Sequence, residues 1–350
     1  MTVKLEPKGI DFVRAAMCLS RTGGNRALAR MLAEEKFGLA SRACAIIEKA
    51  AVPVAHTIHA DWAGGIAEAS GREFIGLVDQ RCILGRLGAR PAPLNCKLVG
   101  VGTGGSAFWK GEGKPTPVTQ LAFNGGAFPP LAVSAIVAIA DELTKVGDPR
   151  AELWVRDELL RAMVAEIDVT FIDPANAGTA DAKPASILHG LTPIDGSGVS
   201  DAEFLLKAVI DDFQGDLESA YWVARPETFV SLNSLTRPFV GARGGEMLGI
   251  PCIASRHVPQ PAGGEILALV DGGGIAHGDT AIEIRFATEG TLEMRDSSLT
   301  QDGTTGTGSA QTSLWQAGLV GLMIDRHTNW SAVRPSVSFI SNLELEAISA

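Results

Sequence analysis

Few residues have the type and spacing to do chemistry. His56-Thr-Ile-His59 with Asp61 has metal-ligand spacing, but no third histidine or cysteine pair lies near it in sequence. Gly100-Val-Gly-Thr-Gly-Gly-Ser106 has the glycine density of a phosphate cradle. No Gly-Lys-Ser/Thr ending follows, and no helix starts there to aim amide donors at an anion. The chain has no Gly-x-Ser-x-Gly nucleophile elbow, and its six histidines sit in no catalytic motif. The pairs Asp211-Asp212 and Glu34-Glu35 are adjacent rather than facing, which makes them solvated charges. Cys18, Cys44, Cys82, Cys96 and Cys252 are odd in number and free of any Cys-x-x-Cys pair, the pattern of reduced thiols. No catalytic residue, cofactor or metal is implied.

The elements that would position such residues are mixed. Residues 9–51 are helical in pattern, with Phe12, Ala15, Ala16 and Leu19 on one face, a break at Gly23-Gly24 and Asn25 placed to cap a second helix. From Arg81 to Phe128 the chain is rich in Gly and Pro with short strands such as Lys97 to Val101, and such a segment must drape over something else. A long helix runs from Asp148, its cap, through Pro149 to about Phe171, and carries Leu153, Leu160, Met163, Val164 and Ile167. Ser200-Asp-Ala-Glu203 reads as a capping box for a helix bearing Leu205, Val209 and Phe213. Strands follow at Ala220 to Ala224, Leu248 to Ile253, Ile266 to Asp271, Ile282 to Phe286, Leu314 to Ile324 and Ser336 to Ile340, with a short helix from Pro226. The fold class is α+β.

At 350 residues, with 46% hydrophobic and 20% charged side chains, the chain is a globular one of one large or two intertwined domains. No run of eighteen apolar residues exists to span a bilayer, and no signal-peptide core is expected at the start. The net charge of −10 repels phosphates instead of gathering them. Residues 1–58 carry nine basic and five acidic side chains, 9 − 5 = +4, which leaves −14 for the rest. That asymmetry gives the first segment its own partner or its own fate.

The order of the later motifs carries a resemblance. A glycine-flanked Phe108-Trp-Lys-Gly-Glu-Gly-Lys-Pro115 loop precedes Leu121-Ala-Phe123, a strand and turn over 136–144, and the proline-started helix closing on Phe171-Ile172-Asp173. Trp222-Val-Ala-Arg-Pro226, Leu248-Gly-Ile-Pro251, Leu269-Val-Asp271, Ile324-Asp-Arg326 and Val333-Arg-Pro335 follow in order. Over residues 58–342 this resembles the major capsid proteins of tailed bacteriophages, the Hong Kong 97-like fold.

The resemblance implies 1–58 as a helical N-terminal assembly segment, 59–101 as an N-terminal arm and 102–128 as an extended loop. It implies 129–198 with 282–350 as a peripheral domain holding the long spine helix, and 199–281 as the axial domain. Trp109, Lys110, Glu112, Lys114 and Phe123 are the expected inter-subunit contacts. The expected partners are copies of the chain itself in hexamers and pentamers of an icosahedral shell, a portal, a prohead protease or scaffold, decoration proteins, and packaged double-stranded DNA bound without sequence specificity; no membrane is expected. The expected location is the virion, assembled in the bacterial host cytoplasm. Some members of the family link subunits by an isopeptide bond from a loop lysine to an asparagine, assisted by a glutamate. Lys114 matches the lysine, but Ser313 to Asp325 contains no asparagine and Asp325 is out of register for the acid, so a shell without covalent links is expected. An encapsulin-like compartment and a soluble enzyme with an unrecognised site are the alternatives, since many active sites leave no local signature.

Overall fold

The structure is a computed structural model. It describes residues 9–22, 25–39, 41–49, 74–103, 122–140, 149–199, 201–233, 239–261, 264–287, 289–293 and 311–344. The chain divides into two compact units, one of Met1–Val78, Ser134–Met163 and Ala281–Arg326, the other of Asp79–Val133, Val164–Thr280 and His327–Ala350.

The first unit opens with three helices, Ile10–Arg21, Arg26–Phe37 and Arg42–Lys49. Asn25 caps the second as its sequence suggests, its side chain accepting from the Leu28 N–H at 3.3 Å. Ala15, Cys18, Leu19, Ala29, Ala33, Ala43, Cys44, Ile46 and Ile47 make one small core between them. Small residues dominate that core, so the helix backbones can approach closely. Arg14 lies over the Phe37 ring at 4.7 Å, a cation–π tie between the first and second helices.

The second unit is built on a seven-stranded sheet. Its order is Ile194–Asp195, Val337–Leu343, Glu265–Asp271, Ala220–Ala224, Ile250–Ala254, Gly244–Met247, Val240–Gly241. Every residue of Glu265–Asp271 is buried, as a central strand covered on both faces requires. It pairs antiparallel with Ala220–Ala224 and with Val337–Leu343. The expected axial segment 199–281 thus shares its sheet with a strand from the expected peripheral segment 282–350, a pairing that no local pattern announces. Helix Ala202–Asp212 covers one face, with Leu205, Leu206 and Val209 in the same core as Trp222, Phe229, Leu267, Leu269 and Ile340. The Trp222 indole N–H donates to the Met247 carbonyl at 3.2 Å, which satisfies the polar end of a wholly buried ring.

The spine helix is Pro149–Ile172, 24 residues long, with proline at its first position as expected. Asp148, its expected cap, lies outside the described residues. Leu160, Met163, Val164, Ile167 and Phe171 are buried, together with Val155 and Leu159, while Leu153 is half-buried. A four-stranded sheet has the order Arg90–Pro91, Ile275–Ala287, Leu319–Ala332, Leu131–Ala140.

Two local expectations are corrected. The cap of Ala202–Asp212 is Asp201, whose carboxylate accepts from the Glu203 and Phe204 N–H groups, one residue later than the expected capping box. Leu314 to Ile324 is not one strand: Leu314–Ala317 is a helical turn with Ser313 as its cap and Gly318 left-handed at φ 61°, and the strand is Leu319–Ala332. A short apolar run without a period does not distinguish strand from helix, and the serine and glycine punctuation decides here.

Candidate functional site

The segment expected to act is rooted in a two-stranded ribbon. Cys96–Thr103 pairs antiparallel with Ala122–Phe128, from Cys96 opposite Phe128 to Thr103 opposite Ala122. These two strands form a sheet of their own. Phe123 stands in it opposite Val101. Trp109, Lys110, Glu112 and Lys114 lie outside the described residues, as do His56, His59 and Asp61.

The root of the ribbon is fixed tightly. Phe128 is buried, and its carbonyl accepts from the Asn95 N–H at 2.8 Å, with Asn95 in the left-handed region at φ 60°. A Cβ at Gly278 would sit 2.5 Å from Leu94 Cδ2 and 2.6 Å from Phe128 Cε1, so only glycine lets that strand pass beneath the root. The Asn329 amide donates to the Pro129 carbonyl at 2.7 Å, just past the ribbon.

Several buried titratable groups of the second unit hold it together. On the spine helix, burial pushes the Asp168 carboxyl up from 3.8 to about 6, against hydrogen bonds from Ser255 Oγ at 2.6 Å and the Ile83 N–H at 2.7 Å and the more distant Arg86 charge. Ser255, Asp168 and His257 are the residue types of a hydrolytic triad, but the connections are wrong for one. The serine hydroxyl donates straight to the carboxylate, and His257 reaches Ser255 through its backbone N–H at 3.3 Å. Burial and the Arg225 charge depress the His257 pKa. Burial also pushes the Cys252 thiol up to about 12, which keeps it out of thiolate chemistry.

Asp271 ends the central strand and is fully buried. Burial alone would raise its pKa, yet it is held below the ordinary value by hydrogen bonds from Ser219 Oγ, the Asp216 N–H and Arg334. Glu265, at the other end of that strand, accepts from Thr228 Oγ1 at 3.1 Å and faces Arg225 Nε at 3.8 Å. In the first unit Asp325 accepts from the Ser134 hydroxyl and pairs with Arg285 at 3.4 Å. The strand that holds it is longer than expected and contains Asn329, which sequence reasoning missed. That residue is occupied, its amide on Pro129 and its oxygen on the Trp330 N–H at 2.8 Å.

Among the described residues no group of three His, Cys, Asp or Glu side chains could hold a metal ion, and no helix is long and apolar enough to cross a membrane. Among the described residues, buried carboxylates fasten segments distant in sequence, and Cys96–Thr103 with Ala122–Phe128 forms a sheet of its own.

Residues 62–309 match the Phage capsid family, and this chain belongs to it. The capsid polyprotein of Pseudomonas phage PAJU2 is 31% identical over 361 residues, covering 96% of this chain and 54% of its own length. The chain thus spans about half the length of that relative. A solved chain from Gordonia phage Cozz superposes with a TM-score of 0.50 at 16% identity, over 75% of this chain and 86% of its own. One from the capsid of a native GTA particle gives 0.49 at 10% identity, over 73% and 88%. The fold is Hong Kong 97-like, and the family is one of virion structural proteins built from many copies, not a family of enzymes.

Proposed function

We propose that this chain is the major capsid protein of a tailed phage or of a phage-derived particle. In this reading its copies form hexamers and pentamers that close into an icosahedral shell around double-stranded DNA. The observation that carries the proposal is the ribbon of Cys96–Thr103 and Ala122–Phe128. A two-stranded sheet is marginal by itself in water and needs another surface beneath it. Val99, 59% exposed on that ribbon, is an apolar side chain awaiting such a surface. We assign residues 102–128 as the loop that reaches over the adjacent copy, with Trp109, Lys110, Glu112, Lys114 and Phe123 as its contact residues.

Residues 199–281, with helix Ala202–Asp212 and the strands between Ala220 and Asp271, serve as the axial domain, and the spine helix belongs to the peripheral one. Repeated heterologous contacts of this kind close into shells, and each can be weak because every copy makes several. A net charge of −10 suits a container whose DNA is confined rather than gripped. A portal, a prohead protease or scaffold and decoration proteins complete the set of partners, with assembly in the host cytoplasm.

Replacing residues 104–121 by a short turn tests this. The ribbon root and both units should still fold, and shells should be lost. Shells formed at the parental yield would refute the loop assignment.

A further inference from the structure

The three N-terminal helices have a core of their own and, separately, a docking face. Ala15, Cys18 and Leu19 of helix Ile10–Arg21 enter the three-helix core. Ile10, Phe12, Val13, Ala16 and Met17 of the same helix are also buried, although none belongs to that core. Phe12 shows where that second face goes. Its ring stacks on Phe74 with centroids 5.1 Å apart and planes at 28°. Phe74 and Val78 are both fully buried. At the start of the helix, Gly9 adopts φ 74° with Leu77 Cδ1 only 3.0 Å from where its Cβ would lie and the Arg156 Cδ of the spine helix at 3.8 Å. Glycine there lets the helix start press directly on Leu77.

We infer that the surface formed by Phe74 and Leu77 beside Arg156 is a binding site for helix Ile10–Arg21, and that the three helices stay on it as a separable partner even when the chain between Lys49 and Phe74 is cut. The pattern is helix-in-groove recognition by an apolar face, held in the intact chain at the high effective concentration that a short tether supplies. A module with its own core does not need the tether to fold, and a contact that buries Phe12 against Phe74 does not need it to persist. The N-terminal segment is therefore an integral cover of the first unit, and cleavage alone leaves it bound. This holds for a free subunit as for one in a shell, so it stands or falls apart from the capsid reading.

The test inserts a site-specific protease sequence between Lys49 and Phe74 of the full chain. Cleavage is taken to completion on a denaturing gel, and the products are then run on a native column at about 10 µM. The fragment holding residues 10–49 is expected to co-migrate with the remainder. Leu77→Asp leaves the three helices unchanged and should weaken retention at least about tenfold, so that the fragment elutes alone. Phe12→Asp, on the other side of the contact, should do the same. Release of the parental fragment, or its retention in Leu77→Asp, would overturn the inference.

Discussion

Asp168 and Ser255, 87 residues apart in sequence, meet in a 2.6 Å hydrogen bond from the serine hydroxyl to a buried carboxyl on the spine helix. The same carboxyl caps the Ile83 N–H at 2.7 Å, where the short helix Ile83–Arg86 begins. One side chain thus fastens the spine to two segments distant in sequence. Because its pKa is raised from 3.8 to about 6, the folded chain binds more protons than the unfolded chain between those values. Its contribution is full below about pH 4 and declines as pH rises to about 6, by on the order of 1–3 kcal/mol. Asp168→Asn keeps an acceptor for Ile83 and cannot titrate. Melting temperatures of variant and parent should therefore move in the variant's favour between about pH 4.5 and pH 7.5, and parallel curves would contradict the assignment.

Arg334 and Asp271 should behave with the opposite sign. The Asp271 pKa is depressed, so its stabilisation is present above the ordinary carboxylate range and is lost as pH falls through the lowered folded value. Arg334→Ala removes a 2.8 Å partner that is 41% exposed, a loss of about 1 kcal/mol. Acid unfolding of the variant should begin at a higher pH than in the parent. An unchanged acid limb would show that Ser219 and the Asp216 amide hold the carboxylate unaided.

Gly272 marks a point where backbone meets backbone. A Cβ there would lie 2.0 Å from the Leu87 carbonyl oxygen, which no rotamer change can relieve. Gly272→Ala should cost at least about 2 kcal/mol, whereas Gly241→Ala, with nothing within 4 Å, should stay within about 0.5 kcal/mol. Denaturant midpoints of the two variants check this, and near-equal values would refute it.

Local signals made much of this fold legible. Ala220 to Ala224 is a short apolar run before Pro226, Pro226 announces its helix, and Pro149 starts the spine, so each stands where its residues predict. What failed locally was punctuation: the helix is capped by Asp201, one residue past the expected start, and the run from Leu314 had no period to betray its helical turn. The sheet order was hidden for a different reason. Strand Val337–Leu343 joins Glu265–Asp271 across a long stretch of sequence, and any buried apolar strand could have done so. Asp168 was invisible as a node because its partners lie 85 and 87 residues away. The surface patch that takes Phe12 was equally hidden, since Phe74 reads as one more apolar residue.

No covalent links are expected between subunits. Asp325 is engaged by Ser134 and Arg285, and Asn329 spends its amide on Pro129, so neither is free to serve Lys114. Denaturing electrophoresis of assembled particles should give the single subunit band and none at its multiples. A ladder of higher bands would show that a linkage exists.

If copies of this chain tile a closed shell as proposed, electron microscopy of the purified protein will show it. Closed particles, or rings of five and six copies, are the expected result. A population of compact monomers or small oligomers under every assembly condition would contradict it.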